Sequence, residues 1–380
     1  MLYYLTYGEN VSGVYKSQVI DLCSFINKEL NFDIKLIALI SCRQYSKNRK
    51  QIKKVSKNSI VLPSFPKITF WYFNILVLII LFTFLKKESI ICRGPLATAL
   101  ALMLKKIKYI KKVCYDGRGA SSEEFKEYNL INNQNFINKL FFIEKKAVIN
   151  SNYIVSVSNS LINYWKEKFE YRKNNELVIP CTLMSNISTV QLSQSLLSKK
   201  RKEFGFNNED IILVYSGSCA GWQSFDLLDK FISNQLFQND KVKVLFMSKF
   251  NINKLACFKD HSNRIYSTWI KHDDVNSILS MCDYGLLIRD QSITNKVASP
   301  VKFAEYLYSG LPVIISQNLG DYSTFVKINK CGIIVSENSD VKLSKVSIEQ
   351  KRKYKNLALA NFSKISRIKD YIKIINKLTS

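Results

Sequence analysis

The chain has 380 residues, enough for two domains of ordinary size that each bury a core. Hydrophobic residues make up 47% of it, which excludes a disordered polymer. Lys and Arg number 56 against 30 Asp and Glu, so the formal charge of +26 favours anionic partners. The basic residues are dispersed and carry no nucleic-acid motif, so an anionic leaflet or a phosphorylated substrate is expected and nucleic acid is not. The nine cysteines are scattered without a C-x-x-C pair, a reduced, cytosolic pattern. The opening MLYYLTYGEN lacks a basic n-region and a long apolar segment, and no signal peptide is expected.

Leu2 to Thr6 reads as a strand, followed by a polar loop, Gly13 and a helix from Val14 to Leu30. Strand, glycine-bearing turn and helix open a doubly wound α/β domain. Asp33–Ile40 and Ile60–Leu62 are further strands, with Cys42–Asn58 as a polar surface connection between them. Ile68–Leu85 runs 18 residues without a charge, flanked by Lys67 and by Lys86-Lys87. By length it qualifies as a membrane span. A crossing would split the domain, so segment 68–87 is expected to pack one face on the sheet and offer Trp71, Phe73 and aliphatic neighbours to a bilayer interface. Full burial is the alternative.

Ser89–Cys92 is the next strand, then Arg93-Gly94-Pro95 and a helix through Leu104. Strand Val113–Tyr115 ends in Asp116-Gly117-Arg118-Gly119, with Glu123-Glu124 beyond. Ligands sit past the carboxyl ends of strands in open α/β sheets, so Arg93, Asp116 and Arg118 are in the right topological place. A plain tight turn is the other reading of D-G-R-G. Asn135–Ile149 and Leu161–Phe169 read as helices, Ile154–Val157 and Leu177–Ile179 as strands. The polar, then basic stretch Thr182–Lys202 reads as an interdomain linker.

A second α/β domain opens with strand Ile211–Tyr215 and the loop Ser216-Gly217-Ser218-Cys219-Ala220-Gly221-Trp222-Gln223, whose amides can approach a phosphate. Val242–Met247, Ile265–Tyr266 and Tyr284–Ile288 are strands, with a helix at 273–281. Arg289 follows the last strand. Next comes SPVKFAEYLYSGLPVIIS, Ser299 to Ser316. Ser299 is expected as N-cap, with Pro300 at the first helical position. Phe303, Tyr306 and Leu307 make the apolar face, Gly310 the left-handed terminator, and Leu311–Ile315 a buried strand. The helix N-terminus is an anion site, Lys302 adds a full charge, and Glu305 can accept from sugar hydroxyls. An exposed Lys–Glu pair on a capped helix is the plainer reading.

The pattern S-P-x-K-x-x-E-Y-L-x-x-G-x-P-V-I resembles the donor-site signature of family four glycosyltransferases, which have the GT-B fold: two Rossmann-like doubly wound α/β domains facing each other across a cleft. The loop at 116–124 resembles their acceptor-side "D-x-R-G…E". The order I-E-K-x-A…V-S-x-S…V-I-P is similar to the last third of a GT-B N-terminal domain. The resemblance implies an acceptor domain over 1–185, a linker at 186–203, a donor domain over 204–360 and a tail, 361–380, crossing back to the first domain. It implies donor binding at Gly217, Ser218, Gly221, Ser299 and Glu305, and acceptor binding at Gly13, Arg93, Asp116 and Arg118. Family members often carry an Arg and a Lys in the glycine loop, and both are absent here. Arg289 and Lys302 are therefore the catalytic candidates, set to neutralise a leaving diphosphate. A surface Arg paired with Asp290 is the other reading of Arg289. The family's first acid, eight positions before Glu305, is replaced by Val297.

His261 and His272 are the only histidines, so imidazole base catalysis is not expected, and no residue cluster suggests a metal. Asp273-Asp274 reads as a helix cap. The expected activity is retaining, metal-independent transfer of a sugar from a nucleoside diphosphate sugar to a polysaccharide or lipid-linked acceptor. The expected place is the cytoplasm, peripherally at the inner membrane face, with the nucleotide sugar as substrate and no cofactor. Two rivals are an inert GT-B subunit docking a partner at the membrane and a nucleotide-sugar 2-epimerase.

Overall fold

Short apolar strands alternating with amphipathic helices give two doubly wound units in the computed structural model, which describes residues 1–65, 67–187, 192–271, 274–336 and 339–380. The readings of His272 and Asp273, and part of the expected linker at 188–191, lie outside the described residues. One unit comprises Met1–Ser185, Val297–Ser299 and Lys364–Ser380; the other comprises Asn186–Lys296 and Pro300–Ser363.

Among the described residues the first unit has a seven-stranded sheet: β1 (Leu2–Tyr7), β2 (Ile34–Ser41), β3 (Ile60–Ser64), β4 (Ser89–Arg93), β5 (Val113–Gly117), β6 (Tyr153–Ser156) and β7 (Glu176–Val178). Their spatial order is β3-β2-β1-β4-β5-β6-β7, all parallel. The order reverses between β1 and β4, a switch point of the kind at which open α/β sheets take ligands at the carboxyl edge. The second unit repeats this with β8 (Ile211–Ser216), β9 (Val242–Met247), β10 (Ile265–Thr268), β11 (Tyr284–Leu287), β12 (Val313–Ser316) and β13 (Gly332–Val335). Its order is β10-β9-β8-β11-β12-β13, again parallel, with the switch point between β8 and β11. The central strands are buried on both faces, which explains why they read as unbroken apolar runs.

Three stretches differ from the sequence reading. The stretch taken as a surface connection folds into a helix, Tyr45–Val55, because its lysines and glutamine are good helix formers and Ile52 anchors it. The expected linker contains a helix, Gln194–Glu203, which buries Leu197 and Arg201 in the second unit. The apolar segment after Lys67 is not one long helix but a 3-10 turn, Ile68–Phe73, followed by a helix, Asn74–Thr83. No helix among the described residues is long and apolar enough to cross a membrane. Trp71, expected at a bilayer, is a core residue at 9% exposure, packed with Leu78 and Phe82. An indole on the inner face of that turn fills the first unit's core, which leaves the outer face to Phe73, Leu76, Ile80 and Phe84.

The C-terminal helix, Ile368–Thr379, packs Tyr371, Ile374, Ile375 and Leu378 into the first unit's core. Ser89 Oγ donates to the Leu378 carbonyl at 2.7 Å, and Lys364 Nζ pairs with Asp21 at 2.6 Å.

Candidate functional site

In the second unit, four chain segments meet at the switch point. The loop after β8 starts at Gly217, whose φ of +147° favours glycine; a Cβ there would sit 3.3 Å from Lys302 Nζ. Tyr215 Oη donates to the Ser218 carbonyl at 2.6 Å and so shapes this loop. Ser218, Cys219 and Gly221 are exposed, so the loop's backbone is open to a ligand. Gly221–Gln223 forms a 3-10 turn, and the chain enters the helix Phe225–Gln238 through Ser224. Gln223 ends that turn and is buried.

Gln223 Oε1 is the convergence point. It accepts from Lys302 Nζ at 2.7 Å and from Arg289 Nη2 at 3.4 Å. Arg289 follows β11; its N–H donates to Ser316 Oγ at the end of β12, and its Nη1 reaches Asn295 Oδ1 at 3.4 Å. Arg289 is buried, which removes the surface-Arg reading. Lys302 is buried as well, so the exposed Lys–Glu pair is also excluded. Its Nζ lies 4.2 Å from the centroid of the Tyr215 ring. Burial pushes the Lys302 ammonium well below the usual lysine range, the Arg289 guanidinium pushes further, and half-buried Glu305 opposes both. Two buried cationic side chains side by side suit an anionic partner, whose charge would offset the cost of burying theirs.

Tyr306 ties the helix to the loop. Its Oη accepts from the Ser216 N–H at 2.8 Å, and its ring lies so close to Gly285 that a Cβ there would come within 2.4 Å. Gly310, φ +82°, ends the helix Val301–Tyr308 as expected. The cap differs: the N-cap position falls on Pro300, one residue late. Ser299 belongs to the first unit, where its Oγ accepts from the Cys181 N–H at 2.8 Å. Val297 precedes it and is buried, with its carbonyl accepting from Ser158 Oγ at 2.6 Å.

In the first unit, β4 and β5 place Arg93 opposite Asp116 at the carboxyl edge. Asp116 Oδ2 accepts from Tyr4 Oη and, at 2.8 Å, from Arg118 Nη2. Arg93 Nε donates to both oxygens of Glu9, at 2.9 and 3.0 Å. Asp116 is buried, and its carboxylate holds the half-buried Arg118. Gly13 stands at the exposed start of its helix, where Ser12 Oγ accepts from the Tyr15 N–H at 3.2 Å. Beyond the loop, Glu144 accepts from the Ser121 and Ser122 N–H groups at 3.2 and 2.8 Å. Burial raises its carboxyl to about 7, against the pull of those hydrogen bonds.

The structure thus joins Gly217, Arg289 and Lys302, with Glu305 beside them and Ser218 and Gly221 on the same loop. Sequence reasoning missed Gln223, Tyr215 and Tyr306. Gln223 had one visible signal: a polar side chain at the end of a glycine loop that lacks its usual cations.

Residues 229–374 match the family described as "Glucosyltransferase 3-like, C-terminal domain". No curated protein matches the chain. Among solved structures, the Anabaena protein HepE, determined with UDP and glucose, is 12% identical over the whole of both chains, with a TM-score of 0.72. The fold is GT-B. Sucrose-phosphate synthase from Thermosynechococcus elongatus is 10% identical over 100% of this chain and 99% of its own, TM-score 0.70. The lipopolysaccharide outer core galactosyltransferase WaaB is 11% identical over 99% of each chain, TM-score 0.68.

Proposed function

We propose that this chain is a retaining glycosyltransferase that moves a hexosyl unit from a nucleoside diphosphate sugar to a polysaccharide or lipid-linked acceptor. The observation that carries the reading is the meeting of Lys302 and Arg289 on Gln223 beside Gly217. The family matched at 229–374 and the UDP and glucose held by HepE support a sugar nucleotide as the anion. In the transfer the bond from the sugar's anomeric carbon to the diphosphate breaks and a bond to the acceptor oxygen forms. The acceptor proton passes to the departing diphosphate. Arg289, Lys302 and loop amides stabilise the charge that develops on that leaving group, so side chains take the part a metal plays elsewhere. Glu305 is assigned to the ribose hydroxyls, and Arg93 and Arg118 to the acceptor, with Asp116 positioning Arg118. The lipopolysaccharide role named for WaaB supports a surface glycan such as capsule or O-antigen as the destination.

The deciding experiment is nucleotide-sugar binding and turnover by the purified chain. UDP-, GDP- and ADP-sugars are screened for thermal stabilisation, then for slow hydrolysis. Stabilisation with hydrolysis that is lost in Glu305→Ala is expected. Binding without any turnover would make the chain an inert subunit.

We also assign a peripheral membrane contact. Phe73, Leu76, Ile80 and Phe84 fall on one helical face, and the last three are 57%, 65% and 84% exposed. Exposed Lys67, Lys86 and Lys87 flank them, which suits an anionic leaflet. The chain is expected to co-sediment with vesicles containing phosphatidylserine, and Leu76→Asp with Ile80→Asp to abolish this while the melting temperature holds. Unchanged partitioning in the double variant would refute the contact.

A further inference from the structure

The carboxyl edge of the second sheet continues past the glycine loop to an exposed tryptophan. Trp269 follows β10 directly and is 65% exposed, whereas Trp71 and Trp165 are buried and Trp222 is half-buried. Tryptophan is a residue that folding normally covers, so an open indole on a ligand-binding edge is informative. Lys249, two residues beyond β9, places Nζ 4.7 Å from the centroid of that ring, which remains largely exposed.

The path from the phosphate-side cluster to this ring is continuous. Lys302 lies against Gly217; the Gly217 N–H meets the Met247 carbonyl at 3.4 Å; Cys219 Sγ and Ser248 Oγ are 3.5 Å apart; Lys249 then leads to Trp269. β8 and β10 are separated by two interstrand spacings, about 10 Å, which is of the order of a nucleotide's reach from its diphosphate to its base.

We propose that Trp269 is the stacking platform for the donor's nucleobase, with Lys249 on the opposite face of the indole. This rests on the nucleotide-sugar reading of the same edge. Stacking on an indole is tolerant of base identity, because every base has a π-face. Trp269 therefore contributes nucleotide affinity, and selection among bases falls to other groups.

The test compares UDP, ADP and GDP with inorganic pyrophosphate, which has the phosphates and no base. Binding is read by intrinsic fluorescence and by thermal shift on wild type, Trp269→Phe and Trp269→Ala. Wild type is expected to bind the nucleotides more tightly than pyrophosphate, with quenching of indole emission. Trp269→Ala is expected to weaken all three nucleotides roughly tenfold or more and leave pyrophosphate unchanged. Trp269→Phe is expected to keep most of the affinity and lose the Trp269 share of the quenching, half-buried Trp222 on the glycine loop being the other indole near the site. Equal weakening of nucleotides and pyrophosphate, or no change in either, would overturn the stacking role while leaving the diphosphate site standing. Failure of wild type to bind any of the four would overturn both.

Discussion

Arg289→Gln is expected to lower transfer from a nucleotide sugar by roughly a hundred- to a thousandfold, most of it in kcat. The guanidinium is buried at the end of β11 and shares Gln223 with Lys302, so it acts where charge develops on the leaving diphosphate. The substitution has a second, separable consequence. Burial and then Arg289 hold the Lys302 ammonium well below the usual lysine range. Removing the guanidinium raises that value. Protonated Lys302 attracts the diphosphate and neutral Lys302 does not, so nucleotide affinity falls as pH rises through the Lys302 value. In Arg289→Gln this fall moves to higher pH. Stability follows the same linkage. The charged form is disfavoured in the folded state, so the cost is complete below the folded value and is relieved as pH rises toward the unfolded one. The rise in stability with pH is therefore expected to begin later in the variant. Turnover near wild type, with an unshifted pH profile for nucleotide binding, would remove Arg289 from the mechanism.

Arg201→Ala is expected to cost about 3–5 kcal/mol, the range for breaking a buried ion pair from one side. Arg201 Nη2 lies 2.7 Å from Asp283 Oδ2, with both side chains buried. Its Nε donates to the Met281 carbonyl at 2.9 Å and its Nη1 to the Asp210 carbonyl at 2.8 Å. Asp283 Oδ2 also accepts from the Ile212 N–H at 2.8 Å, so the pair fastens the amino ends of β8 and β11. Lys351 completes the cluster, donating to the Cys282 and Ser280 carbonyls; burial brings its ammonium down to about 8, with Asp283 opposing. Lys199 and Lys202 flank Arg201 in sequence and are exposed, so their alanine variants are expected to stay within about 0.5 kcal/mol of wild type. Urea unfolding of the three variants checks this, and equal midpoints would show that the buried pair contributes nothing.

The contrast within Lys199-Lys200-Arg201-Lys202 shows where sequence reading stops. A basic run beside a Ser-rich stretch reads as linker, because composition treats four cations alike. Asp283, which singles out Arg201, is 82 positions away. Gln223 and Lys302 are 79 apart, and no local pattern pairs them. Trp71 shows the same limit in an apolar segment. Its hydrophobicity is plain, but a 3-10 turn ahead of the helix sets which ring points inward.

Alternating apolar runs and turn glycines were sufficient for two parallel α/β units, because strand pleat, helix period and positive φ are short-range steric matters. Gly310 and the strand after it could be read from a dozen residues for that reason. The placement of Ser299, the burial of Lys302 and the role of Gln223 came only with packing. Parallel strands need long crossovers, and these return distant loops to one edge, where burial and the nearest partner settle which charges stay dry.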